Sequence, residues 1–299
     1  MQALDWSDYQ AFLAIARAGQ LARAGHALGV DATTMGRRLR RLEARLGASL
    51  FEQTREGQVL TEAGEALLAR VEAMAQAASG ISEGTAGASG LAGTLRISVP
   101  EGFGGWFLPR HVGALALAHP SLTLDLVANS GLLSLSKREA DIAVTLSRPK
   151  AGPVIARKLS DYALRLYASP AYLARAGMPT RGADLAQQHR LVGYIPDLLY
   201  DPVLRYLDEI HPGLTASLRS SSINAQHRLI AEGAGLGVLP CFIGDADRAL
   251  VPVLPERRIM RSFWLVTHKD THNLARVKAG KDWLVEAVQR QRELLLGSG

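Results

Sequence analysis

The sequence predicts an α+β multidomain chain with an N-terminal winged helix-turn-helix, a long linker helix and a C-terminal α/β domain. Three observations carry this. Three short helical patterns separated by glycines precede a small hairpin pattern. An alanine-rich amphipathic stretch then runs into a glycine-rich segment. From Leu95 onward, short apolar strands alternate with helical patterns. At 299 residues, 47% hydrophobic and 21% charged, the chain is long enough for two or three cores and is not of disordered composition. The expected units are residues 1–60, 61–93 and 94–299.

In the first unit, Ser7 is placed to cap a helix that Asp8 opens favourably, with Tyr9, Phe12, Leu13 and Ala16 on one stripe before Gly19. A shorter helix, Leu21 to Leu28, stops at Gly29. Asp31 then caps a third helix to Leu46, with Gly47 just past its end. Within it, Met35, Leu39, Leu42 and Leu46 follow spacings of four, three and four, so they share a core-facing stripe. At about 100° per residue, Thr33, Thr34, Arg37, Arg40 and Arg41 gather on the opposite face. Arg38 and Arg45 flank them, and only Glu43 offsets the charge.

Such a face suits the major groove of DNA. Thr33, Thr34 and Arg37, near the helix N-terminus, would meet base edges, while Arg40 and Arg41 would grip phosphate. Alone, the pattern equally describes the solvated basic face of an ordinary helix. The next segment shifts the balance: Leu50-Phe51, a polar turn at Arg55-Glu56-Gly57 and the returning Val59-Leu60 fit a two-stranded wing, after which Thr61 caps another helix.

The run Leu39 to Phe51 (LRRLEARLGASLF), followed by Leu60-Thr61-Glu62-Ala63-Gly64, resembles the N-terminal signature of LysR-type transcriptional regulators. The similarity is close over residues 4 to 68, and the order of the remaining elements matches to the C-terminus. The resemblance implies a bacterial, cytoplasmic, sequence-specific regulator without catalysis or cofactor. Its partners would be double-stranded DNA, a small-molecule effector, further copies of itself (a dimer or, as the family favours, a tetramer) and RNA polymerase. The family often carries serine at the position of Gly36, glutamine at Ala32 and wing arginines at Gln53 and Glu56; Arg55 is expected to supply the wing's charge here.

From Thr61 to about Ser79 the chain is alanine-rich, with Leu67, Leu68, Val71, Met74, Ala75 and Ala78 on or near one side. This narrow seam suits close pairing with a second copy, or packing back on its own domain. In the resembling family the element is the dimer-forming linker helix. Gly80 to Gly93 (GISEGTAGASGLAG) reads as a flexible hinge.

In the second half, Leu95 to Val99 is a strand stopped by Pro100-Glu101-Gly102, and a helix is expected from about Gly104 to His119. Leu122, Leu124 and Leu126 alternate in a second strand, Asp141 to Leu146 forms a third, and Tyr162 to Ala168 leads through Pro170 into new elements. Ser262 to Val266 precedes a closing helix, Ala279 to Leu296. This order predicts an α/β fold with largely parallel pairing, whose chain crosses between two lobes near Leu164–Tyr167 and Leu265–Thr267. The resemblance implies a two-lobed periplasmic-binding-protein-like effector domain, with lobe I at 94–163 and 267–299 and lobe II at 164–266. Effector binding in the interlobe cleft would then alter operator binding or bending.

Ligands of open α/β sheets sit past the carboxyl ends of strands. Four loops qualify: Pro100-Glu101-Gly102-Phe103; Asn129-Ser130-Gly131; Thr145-Leu146-Ser147; and Ser220-Ser221-Ser222-Ile223-Asn224. Their hydroxyls and helix N-terminal N–H groups suit a carboxylate or another polar ligand, although each serine equally suits a plain cap. Glu101 would repel an anion if it pointed inward, and the family often has serine or threonine at Pro100.

Other classes fare worse. A net charge of +6 suits a polyanion without requiring one. Cys241, the single cysteine, excludes an intrachain disulfide or Cys-based zinc site and reads as a small buried hydrophobe. The eight histidines lack metal spacing; His268 and His272 lie four apart without a third ligand. Gly233 to Gly237 follows a helix and leads into a strand, the reverse of a dinucleotide loop. No G-x-S-x-G motif supports an enzyme. A transporter's solute-binding protein would carry an export signal and no basic winged helix. No apolar run approaches the roughly 20 residues of a membrane span, and neither an export signal nor membrane attachment is expected.

Overall fold

The computed structural model describes residues 5–54, 57–85, 91–129 and 140–297, and divides into two compact units, Met1–Ala88 and Ser89–Gly299. Arg55 and Ser130, both expected at functional positions, lie outside the described residues, as does part of the expected hinge.

The first unit comprises α1 (Trp6–Ala18), α2 (Leu21–Leu28), α3 (Ala32–Leu46), an antiparallel hairpin of β1 (Phe51–Thr54) and β2 (Gly57–Leu60), and α4 (Glu62–Thr85). Asp5 rather than Ser7 caps α1, because its carboxylate accepts both the Ser7 N–H at 3.1 Å and the Ser7 hydroxyl at 2.7 Å. Phe12, Ile15, Met35, Leu42 and Leu50 form the buried centre, and Phe12 meets Phe51 at 5.4 Å between ring centroids. The α3 stripe reaches this core only through Met35, Leu39 and Leu42. Leu46, expected to join them, is 45% exposed, since the last turn of α3 runs past the core before Gly47 ends it. Gly57 lies at φ +135°, and any side chain there would run into the Gly19 carbonyl, to which Gln58 N–H donates at 2.7 Å. That contact ties the wing to the end of α1.

Thr61 begins α4 as expected: its hydroxyl accepts the Gly64 N–H at 3.1 Å and donates to the Ser49 carbonyl at 2.7 Å. The helix continues to Thr85, so the first part of the expected hinge is helical. A glycine inside a helix costs only about 1 kcal/mol relative to alanine, too little to break one. Leu67, Leu68, Val71 and Ala75 pack against the unit's own core, whereas Met74 is 39% exposed. Much of the apolar seam is therefore satisfied without a second copy.

In the second unit, β3 (Gly93–Pro100) leads through a π-helical turn, Phe103–Phe107, into α5 (Pro109–Ala118). The single helix expected here is two pieces. Leu108 N–H donates to the Phe103 carbonyl at 3.0 Å, closing the wide turn, and Pro109, lacking an N–H, starts the α-helix afresh. Then come β4 (Leu122–Asn129), β5 (Ile142–Thr145), β6 (Val154–Ala168), α6 (Pro170–Ala176), α7 (Gly182–Gln188), β7 (Leu191–Gly193), α8 (Leu207–Ile210), β8 (Leu218–Arg219) and α9 (Ile223–Ala231). The chain ends with β9 (Leu236–Pro240), α10 (Cys241–Gly244), β10 (Val251–Val253), β11 (Ile259–His268), α11 (Ala275–Arg290) and α12 (Arg292–Leu296).

The strands form one sheet in the order β4-β3-β5-β11-β6-β9-β7-β8, with β10 on β6. Pairing is mixed rather than largely parallel. Each half has a parallel trio, β4-β3-β5 and β9-β7-β8, but the long β6 and β11 between them are antiparallel to each other and to their neighbours. These two strands are the crossings. One end of β6 pairs with β9 from Leu164 to Tyr167, while β11 breaks register between Phe263 and Trp264. That bulge lets Trp264, Leu265 and Val266 pair with β5, placing them in the first half rather than the second. The closing helix is interrupted at Gln291, and Arg258 donates to the Leu296 carbonyl beyond the break.

Candidate nucleic-acid interface and ligand cleft

The N-terminus of α3 is held by Asp31, whose carboxylate accepts the Thr34 N–H at 2.7 Å and the Thr34 hydroxyl at 2.8 Å. Those bonds pull the Asp31 carboxyl below its ordinary range, the backbone bond first. Thr34 is thus a capping partner, whereas Thr33 is exposed. Arg37 is exposed and Arg38 half-buried, and neither has an ion-pair or hydrogen-bond partner among the described residues. Arg40 donates through Nε to the Gly36 carbonyl at 3.2 Å, one turn back on its own helix.

Arg41, expected at phosphate, is engaged elsewhere. Its Nε donates to Asp8 at 2.7 Å, and its Nη2 donates to both Asp8 and Asp5. Arg45 lies 3.6 Å from Asp8. Asp8 is fully buried, so it needs these partners, and the pair locks α3 to the start of α1. Glu43, the lone acid on the basic helix, accepts the Leu50 N–H at 2.7 Å and joins α3 to the wing strand. The face left free consists of Thr33, Arg37, Arg38 and the terminal nitrogens of Arg40.

In the second unit a narrow cleft opens where the two halves of the sheet meet. The β3 end supplies Pro100, Glu101, Gly102 and Phe103, and the centres of β6 and β11 supply Tyr162 and Phe263. Tyr194, Tyr200 and Tyr206 enter from the segment between β7 and α8. Tyr162 and Phe263 stack at 4.1 Å, and Phe103 meets Phe263 at 4.6 Å. Burial pushes the Tyr162, Tyr194, Tyr200 and Tyr206 hydroxyls well above their ordinary range, so all four stay protonated.

Glu101 does not point into the cleft as a free charge. It accepts the Ser222 hydroxyl at 2.7 Å, the Ile223 N–H at 3.0 Å and the Asn224 side-chain amide at 2.9 Å. Trp106 Nε1 donates to Asn224 at 2.8 Å, and the Trp106 ring abuts His227, which bonds Asp247 at 2.8 Å. The N-terminus of α9, expected to receive a ligand's carboxylate, already holds a carboxylate from the opposite half.

Of the other loop residues, Ser222 caps α9 and Ser147 donates to Asp201 at 2.8 Å, again across the two halves. Thr145 donates to the Ser147 carbonyl at 2.6 Å, and Ser221 is half-buried without a hydrogen bond among the described residues. The sequence reading missed the tyrosines. Their signal was the even recurrence of Tyr194, Tyr200 and Tyr206, six apart, in a segment without helical or strand periodicity.

Cys241 is fully buried, and burial pushes its thiol up. Among the described residues no group of three or more His, Cys, Asp or Glu is placed to hold a metal, and no helix is long and apolar enough to cross a membrane.

Two family models match the chain. One, described as a bacterial regulatory helix-turn-helix protein of the lysR family, covers residues 6–65; the other, described as a LysR substrate binding domain, covers residues 88–289. The Mau operon transcriptional activator of Paracoccus denitrificans is 30% identical over 268 residues, which is 88% of this chain and 89% of that protein. The HTH-type transcriptional regulator CrgA of Neisseria meningitidis is 28% identical over 92% of this chain and 94% of its own length. The solved structure of Neisseria meningitidis CrgA superposes with a TM-score of 0.59 at 25% identity, covering 95% of this chain and 99% of that one. A full-length OxyR variant from Pseudomonas aeruginosa shares the fold with a TM-score of 0.72 at 19% identity, over 97% and 96% of the two chains.

Proposed function

The chain belongs to the LysR family of bacterial transcriptional regulators, and from that membership we propose which residues read DNA and where its effector sits. It is a DNA-binding regulator with a C-terminal effector-binding domain. Thr33 and Arg37 read base edges in the major groove, with Thr34 close by but engaged as a capping partner. Arg38, Arg40 and, in the wing, Arg55 contact phosphate. Arg41 serves the fold. The observation that carries this reading is the free basic face of α3, whose Arg37 and Arg38 stand without partners beside a capped helix N-terminus.

The effector occupies the cleft between the halves of the second unit. The Glu101–Ser222 and Ser147–Asp201 bonds join those halves, so a ligand that favours one separation over another shifts the equilibrium between them. The domain binds without catalysis. Two copies act on one operator, and effector binding changes their arrangement and so the binding or bending of the site. RNA polymerase is the partner downstream, and the protein works in the cytoplasm, beside the DNA. Residues 1–60 serve DNA binding, 61–93 self-association and 94–299 sensing.

Binding of the full chain to the DNA upstream of its own gene, against random DNA across a salt series, tests this. A preference of at least about a thousandfold with a protected palindrome is expected. Equal affinity for both DNAs at every salt concentration would remove the assignment of α3 as a reading helix.

A further inference from the structure

Resting on the cleft as the effector site, we propose that it selects a cation, namely a protonated amine or quaternary ammonium compound with an apolar body.

Three features of the cleft point to this chemistry. First, the place where an anion would be held is taken. Glu101 fills the N-terminus of α9 with three hydrogen bonds, two of them to the Ser222 hydroxyl and the Asn224 amide, the polar side chains otherwise available to a ligand's carboxylate. An acidic effector would meet Glu101 across a short distance with its best donors already engaged.

Second, no Lys, Arg or His among the described residues lines the cleft. Arg261, whose charge is felt by the Tyr162 and Tyr206 hydroxyls, pairs with Glu209 and donates to the Val203 carbonyl at 3.3 Å. On the negative side Glu101 is part of the lining, and the buried Asp201, next in the chain to Tyr200, lies behind it rather than in it. Among the described residues Asp201 accepts from neutral donors, the Ser147 hydroxyl and the Val203 N–H. Glu101, the carboxylate in the lining, has neutral donors and no cation among the described residues, so a positive ligand supplies the missing charge in a low-dielectric pocket.

Third, the walls are aromatic faces. Tyr162, Tyr194, Tyr200, Tyr206, Phe242 and Phe263 surround the space, and the first three keep hydroxyls without a hydrogen-bond partner among the described residues. Rings around a desolvated cation attract it through their quadrupoles, and the uncommitted hydroxyl oxygens accept from an ammonium N–H.

The test is calorimetric titration of the full chain with phenethylamine, benzyltrimethylammonium, phenylethanol and phenylpropionate, compounds alike in size that differ in charge. The two cations should bind at least about tenfold tighter than the alcohol, and the alcohol tighter than the carboxylate. In Glu101→Gln, which keeps the side chain's shape and removes its charge, the preference for cation over alcohol should fall about tenfold. Tyr200→Leu, at a half-buried position, should weaken the cations more than the alcohol. The proposal is overturned if phenylpropionate binds as tightly as phenethylamine, if none of the four binds at millimolar concentration, or if the preference survives in Glu101→Gln. Tight phenylpropionate binding that Tyr200→Leu abolishes would sink the ligand class and leave the cleft as effector site. Binding of any compound indifferent to both variants would sink the cleft assignment itself.

Discussion

Arg41 of α3 and Asp8 of α1 are joined by two hydrogen bonds across 33 positions of sequence, the Nε donating to one carboxylate oxygen at 2.7 Å and the Nη2 to the other. Asp8 is buried and Arg41 is not, so the pair anchors a charge inside the first unit while leaving its partner at the surface. This separates two neighbouring arginines that look alike in the sequence.

Arg40→Ala should weaken binding to all DNA alike and flatten the salt dependence by about one unit, as loss of one phosphate contact requires. Arg41→Ala should leave that slope unchanged and lower the thermal midpoint of the first unit, because among the described residues the Asp8 carboxylate then keeps only the more distant Arg45. Equal slopes for the two variants, measured by filter binding across a salt series, would return Arg41 to the phosphate-contacting set.

Arg37→Ala should lower discrimination between operator and random DNA by about 1–3 kcal/mol, roughly five- to 150-fold, the worth of a good bidentate base contact. Thr33→Ala should cost less. Competition titrations read this directly, and unchanged discrimination in Arg37→Ala would transfer base reading to its neighbours.

The apolar stripe of α3 stops at Leu42. Leu42→Ala should cost about 2–5 kcal/mol of unfolding free energy, since it opens a cavity in a closed core. Leu46→Ala, one turn on and largely exposed, should change it by less than about 0.5 kcal/mol. Urea unfolding of the two variants side by side would show whether the stripe ends there.

Asp184 accepts the Thr180 N–H, the Thr180 hydroxyl and the Arg181 N–H, each at 3.0 Å. These bonds, that of the Thr180 backbone first, pull its carboxyl from 3.8 down to about 2. A depressed carboxyl stabilises the folded chain fully above its unfolded range and loses that contribution as the pH falls through the folded value. Asp184→Asn should therefore be less stable than the parent near neutral pH, with the gap closing as the pH drops from 3.8 towards about 2. A gap independent of pH in denaturant midpoints would show that the charge of Asp184 is not what these donors hold.

Much of the fold was legible because periodicity and caps are local properties. The spacing of Met35, Leu39 and Leu42, the glycines at 19, 29 and 47 and the cap at Asp31 each act within a turn or two, and each was readable from its neighbours. Legibility failed where distant chain decides. Glu43 seemed a stray acid on a basic helix until Leu50 N–H met it, and Thr34 seemed a base-reading hydroxyl until it turned to Asp31. At the cleft, the serines and Glu101 were visible as loop residues, but the tyrosines between them were not, because nothing local says which way an irregular segment faces.

The sequence by itself determined the helices and wing of the first unit, the α/β character of the second, and the family. Those follow from which residues recur at which spacing. The tertiary structure alone decided which arginines are free and which are tied, that Glu101 meets Ser222 from 121 positions away, and that the cleft is walled by tyrosines. The physical reason is that a hydrogen bond or an aromatic wall is a matter of a few ångströms in space. Spacing along a chain sets which face a side chain occupies, while its partner is set by where the rest of the chain brings another face.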